Sequence, residues 1–242
     1  MSFKERIELW KKVLEDPKGT FAKTLKKGTL EDGVIHTILS SGISALLFGI
    51  ALAALLLLSP SFSGGFASSM GLPSMSGIMG TAMLMVLLFD LGYMLIYFTI
   101  IDSVSLLIGS GIVYLLAKNM GGTGTYGKQT FVLALVQAPL RIGIYIFSGL
   151  LLAGSLLIKT STAGWVLVGI GGLGTLALAI VTIIYQIWAM KLVHKVRTST
   201  AALALLLPTI VLLILVGIIA VFILMAYSSV GGTGISPQSL LI

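Results

Sequence analysis

Five long stretches almost free of charge dominate the sequence, at about 33–59, 78–118, 129–158, 163–190 and 199–227. A helix needs ~20 mostly apolar residues to cross a bilayer, within a range of ~17–25. Every backbone group must find its partner inside the bilayer, so helices are the default spanning element. An outer-membrane barrel needs ~10-residue segments of alternating polarity, and these runs do not alternate. Only 10% of the residues are charged, against roughly 25% in a soluble globular chain. Too little charge remains to build a water-facing surface, and the mean hydropathy of +1.11 agrees. The expected fold is all-α, a polytopic membrane bundle.

The stretch 78–118 has the length of one long helix or of two short ones. Basic residues decide between them, because Lys and Arg collect on the cytoplasmic side. With five spans the N-terminus, Lys118, Lys128, Lys191, Lys195 and Arg197 all lie inside, and only Lys159 lies outside. With six, Lys118, Lys128 and the 191–197 cluster would face out. The sequence therefore predicts spans at about 33–59, 91–118, 129–158, 163–190 and 199–227. Residues 78–90 become an extracytoplasmic extension or interfacial helix. The Ser/Gly/Pro-rich segment 60–77 and the tail 228–242 read as extracytoplasmic loops. The expected setting is the cell membrane, multi-pass, with the N-terminus cytoplasmic and the C-terminus extracytoplasmic.

Residues 1–32 carry eight of the 15 Lys and Arg and six of the eight acids. They have no apolar core of the signal-peptide kind. Phe3, Ile7, Trp10, Val13 and Leu14 recur at helical spacing among basic residues. This predicts an amphipathic helix lying in the interface, anchored by Trp10, Lys11 and Lys12. Asp16-Pro17 ends it, since the residue before proline is pushed out of the helical region.

Several short motifs lack their context. Gly122-Thr-Gly-Thr-Tyr-Gly127-Lys128 matches the start of a phosphate-binding loop, but Gln129 stands where Ser or Thr should hold magnesium. Gly169-Ile-Gly171-Gly172-Leu-Gly174 matches a dinucleotide fingerprint but lies inside a span. Glycines there let helices approach closely. Gly171, Thr175 and Ala179 form a small-residue ladder, as do Ser41, Ala45, Gly49 and Ala53. There is no cysteine, and His36 and His194 are far apart. No catalytic group, metal site or cofactor is expected. His194, with Lys191, Lys195 and Arg197, reads as a basic turn meeting headgroups. The net charge of +7 follows from this asymmetry and implies no nucleic acid.

Asp102 and Arg141 lie inside spans, where charges are rare and usually paired or functional. Asp102 is roughly 24 Å from Lys118 along its helix, and Arg141 roughly 20 Å from Lys128. They fall at similar depth, so an ion pair between the second and third spans is expected. Three outcomes stay open: a structural pair, a proton or substrate site, and no pairing because Pro139 bends Arg141 toward the headgroups. Asp90, about 42 Å from Lys118, lies beyond the ~30 Å core. Pro139 and Pro208 each free a carbonyl one turn back.

The order of several motifs resembles the Yip family of Ypt/Rab-interacting membrane proteins. Val13-Leu14-Glu15-Asp16-Pro17-Lys18-Gly19-Thr20-Phe21 resembles the family's P-x-x-x-F approach to the first span. Leu115 through Gly124 resembles its glycine-rich turn. Gln129-Thr130-Phe131 and Ala138-Pro139 resemble its polar start and A-P kink. Ile187-Trp188 with a basic turn, then Ser199-Thr200-Ala201, resembles the passage between the last two spans. The resemblance covers about residues 10–225. The Tyr-Gly-Pro cluster and long N-terminal domain of eukaryotic members are absent, so the resemblance implies a compact prokaryotic-type member. It implies a fold and topology more than an activity, and the Rab-binding role of the eukaryotic members is not carried over. The expectation is a non-enzymatic membrane organiser or scaffold. Its partners would be anionic lipid at the cytoplasmic face, a protein, or a second copy. The alternative is a transporter or channel component using Asp102 and Arg141.

Overall fold

The structure is a computed structural model that describes residues 1–58, 76–158 and 162–231. Within them the chain forms seven helices and no strand: α1 (Phe3–Glu15), α2 (Pro17–Thr24), α3 (Leu30–Leu58), α4 (Ser76–Asn119), α5 (Tyr126–Leu157), α6 (Thr162–His194) and α7 (Thr198–Gly231). Five are long and apolar enough to cross a membrane, over Leu30–Ala51, Leu91–Asn119, Tyr126–Ser155, Thr162–His194 and Thr198–Ile223. The chain is a multi-pass integral membrane protein. The 60–77 loop up to residue 75, Lys159, and the tail from residue 232 lie outside the described residues.

α4 is a single 44-residue helix. The surplus at 78–90 is thus continuous with the span, not a separate interfacial piece. At 1.5 Å per residue it is about 66 Å long, twice the ~30 Å hydrocarbon core. Tyr93 and Tyr97 stack on its surface at 5.6 Å between centroids. With the exposed Trp165 near the start of α6, they suit the interface far from the N-terminus.

α5 is the axis of the bundle. It packs along α6 and α3 and touches α4 and α1. Phe131, Val132, Leu135 and Val136 are fully buried there, in a core completed by Ala189 and Val193 of α6. α7 is the outermost helix. Ala201 and Ala204 bury it against Ala117 and Met190, but its apolar residues from Ile210 to Phe222 face outward. In lipid that exposure has no hydrophobic cost, since acyl chains are as apolar as leucine. Pro139 and Pro208 sit inside unbroken helices.

Small residues set the closest approaches. A Cβ on Gly171 would meet the Phe147 carbonyl oxygen at 2.7 Å and lie closer still to the Leu151 amide nitrogen. Both are backbone atoms of α5 and cannot turn aside. Gly172, one residue on, would meet only the Leu151 side-chain tip at 3.9 Å. Gly171→Ala is therefore expected to destabilise the bundle by ~1–3 kcal/mol, as overpacking does. Gly172→Ala should be close to neutral. Thermal unfolding in detergent checks both.

The glycine-rich turn after α4 is also structural. Gly121 adopts φ +86°, where L residues are strained. Its amide donates to Lys118 O, and the Gly122 amide to Ala117 O. This is the Schellman pair that closes a helix end. A Cβ at Gly122 would strike His194 Nδ1 and Ala117 O, and the Thr123 amide donates to His194 O. The segment that resembled a phosphate loop is a joint between α4, α5 and the end of α6.

Candidate functional site

Gln137, Arg141 and Tyr145 follow one another at four-residue spacing on α5, so they share a face. α4 brings Asp102 and Ser105 to that face, and α3 brings Ser41. Arg141 Nη1 lies 3.3 Å from Asp102 Oδ2. It also donates to Ser41 Oγ, which donates onward to the same carboxylate oxygen at 2.7 Å. Arg141 Nη2 donates to Gln137 Oε1 at 3.0 Å. Tyr145 is held edge-on between Phe48 and Phe98, with centroids 6.1 and 5.5 Å away. Of the outcomes left open by the sequence, the structure has the two charges together.

Counted from the ends of their helices, Asp102 lies about 25 Å from Asn119 and Arg141 about 22 Å from Tyr126. Within a ~30 Å core, both sit in the half remote from the N-terminus. Their side chains keep 20% and 13% exposure. That exposure opens on a half-open cavity of about 340 Å³ lined by Asp102, Gln137, Arg141, Tyr145, Thr182 and Leu106, among others. A second, half-open groove of about 540 Å³ adjoins it and shares Ser105, Leu106 and Gln137. It runs between α4 and α7 past Val113, Pro208 and Leu212. Both volumes fall in the range of ligand pockets.

The other polar concentration is at the end of the bundle that carries the N-terminus. Helix α1 starts with a capping box. The Ser2 amide donates to Glu5 Oε2 at 2.6 Å, and the Glu5 amide to Ser2 Oγ at 3.3 Å. The bond from the Ser2 backbone holds the exposed Glu5 carboxyl below its ordinary pKa. Asp16 accepts from the Gly19 amide at 3.0 Å and Pro17 opens α2, a helix that the amphipathic spacing did not reveal. Thr20 Oγ1 donates to Lys12 O, tying α2 to α1. The two short helices then form a cap on the bundle. Trp10 Nε1 donates to His36 Nδ1 at 2.8 Å, and Arg6 pairs with Asp32 at 2.9 Å. Val13 and Phe21 are fully buried, and Lys18 Nζ sits 4.3 Å over the Trp188 ring.

Two expected roles are corrected here. Trp10 is not an interfacial anchor: it is 3% exposed, and its polar edge is satisfied by His36 rather than by headgroups. His194 does not meet headgroups either. It is fully buried, with Nε2 at 2.7 Å from Gln129 Oε1, while Gln129 Nε2 donates to Ser110 O. Lys11, Lys12, Lys191, Lys195 and Arg197 are exposed, and Lys195 takes the left-handed φ of 55° that ends α6. The partners Asp32, His36 and Gln129 were missed because each acts 26 or more residues away. Among the described residues, no group of three or more His, Cys, Asp or Glu is placed to hold a metal.

No family model, curated protein or solved structure matches this chain.

Proposed function

We propose that this chain is a Yip-like, non-enzymatic membrane organiser that engages anionic lipid through its basic end, in the cytoplasmic leaflet of the cell membrane. One observation carries the reading. The α1–α2 cap is built into the bundle by buried contacts, while Lys4, Lys11, Lys12, Lys18, Lys23, Lys26 and Lys27 stay exposed. A disordered basic arm would lose conformational freedom on meeting a surface. A folded cap presents its charges already in place. Lys118, Lys128, Lys191, Lys195 and Arg197 belong to the same end and are exposed too. The positive-inside rule supports placing that end in the cytoplasm. Each Lys or Arg near an anionic leaflet contributes ~1 kcal/mol.

The test uses the full chain in vesicles that mix phosphatidylcholine with spin-labelled phosphatidylglycerol. The wild type should immobilise phosphatidylglycerol preferentially, and less so at high salt, where the Debye length shrinks to ~3 Å. Changing Lys4, Lys11, Lys12, Lys23, Lys26 and Lys27 to Gln should cut that preference by at least roughly tenfold. A preference unchanged by these substitutions rejects the reading.

A further inference from the structure

The cavity and groove beside the ion pair pose a separate question. α4 and α6 both lean on α5 with little contact between them, and α7 joins them chiefly near its own start. The space they leave is polar at one end and mostly apolar along the rest, where Ser110, Gln186 and Thr209 interrupt the apolar lining. Asp102, Gln137, Arg141, Tyr145 and Thr182 stand at the polar end. Leu133, Val113, Leu205, Leu212 and Leu215 line the apolar stretch.

We infer that this site binds a zwitterionic phospholipid from the leaflet remote from the basic end, its head group at Asp102–Arg141 and one acyl chain in the α4–α7 groove. Charge selects the head group. The site holds one carboxylate and one guanidinium, so its net charge is zero. An anionic head group would meet Asp102, and a cationic one Arg141. A zwitterion sets its phosphate against Arg141 and its ammonium against Asp102, so neither buried charge loses a partner. The hydrogen bond and the ion pair of Asp102 both use Oδ2. Depth agrees. The pair lies in the remote half of the core, and the groove leads from Ser105 to Val113 toward the basic end. Those eight residues span about 12 Å. A lipid of the remote leaflet has this polarity, head outward and chain toward the bilayer centre.

The experiment uses the full chain in vesicles containing phosphatidylethanolamine with a diazirine in its acyl chain. Phosphatidylglycerol with the same label is the comparison. After illumination, label from phosphatidylethanolamine should map to 109–113 of α4 and 205–215 of α7. It should exceed that from phosphatidylglycerol by roughly tenfold. The double change Asp102→Asn with Arg141→Gln, which leaves no lone charge, should abolish the preference. Leu212→Trp, which fills the groove and leaves the pair untouched, should remove the label itself. Equal labelling by the two lipids overturns the inference. So does labelling of the groove that survives Leu212→Trp or a preference that survives the double change.

Discussion

Trp10→Ala is expected to release the α1–α2 cap from the bundle, at a cost of ~3–5 kcal/mol, the range for truncating a buried tryptophan. Trp10 sits in the core cluster with Val13, Phe21, Phe131 and Leu135. Its ring lies 5.9 Å from His36, which in turn lies 5.9 Å from Phe131. Losing the indole opens a cavity and also leaves His36 Nδ1 buried without its donor. Trp10→Phe separates the two effects. It keeps most of the volume and loses the hydrogen bond, at ~1–3 kcal/mol for the orphaned acceptor. Hydrogen exchange over residues 3–24 reads the result. Protection there should collapse in Trp10→Ala and fall partly in Trp10→Phe, while α5 and α6 stay protected. Uniform loss across the bundle would mean that the cap and spans unfold as one unit.

Removing one member of the Asp102–Arg141 pair is expected to be the other large effect. Arg141→Gln leaves the carboxylate with only Ser41 among the partners described above. Asp102→Asn leaves the guanidinium without its counter-charge. Breaking a fully buried pair in this way costs ~3–5 kcal/mol, and this pair, partly open to the cavity, should fall toward the lower end. The reversed pair, Asp102→Arg with Arg141→Asp, should recover much of that loss if the charges stabilise each other. The neutral double change should also be milder than either single one, since it strands no charge. Thermal unfolding of the four variants in one detergent decides. Additive losses in the double variants would show that the two side chains act independently.

The spans were legible because lipid imposes one requirement, length without charge, that a single helix meets locally. The depth of Asp102 and Arg141 was legible for a related reason. A rise of 1.5 Å per residue fixes height along a helix whatever its neighbours do, and the two side chains lie 3.3 Å apart. What surrounds a side chain was not legible. The spacing of Ile7, Trp10 and Leu14 marks an apolar face but does not say whether lipid or protein covers it. Trp10 is covered by α3 and α5, while Phe3 and Leu14 remain exposed. His194 carries the same lesson. Lysines on either side made it read as surface, and the glutamine that holds it is 65 residues away. Helix α2 was hidden by the proline that starts it. The same Asp16-Pro17 step that ends α1 supplies both the cap and the first residue of the next helix. The stretch from Gly122 to Lys128 resembled a phosphate loop, but its first glycine is needed for close approach, since a Cβ there would strike His194 Nδ1 and Ala117 O.

The proposed function stands or falls on whether the folded basic cap holds anionic lipid. Native mass spectrometry of the full chain, released gently from its own host membrane, tests it most directly. Anionic phospholipid should be retained by the wild type and by the neutral Asp102→Asn, Arg141→Gln variant. That lipid should be lost when Lys4, Lys11, Lys12, Lys23, Lys26 and Lys27 become glutamine. Retention that ignores those lysines, or a defined protein in place of the lipid, would contradict it.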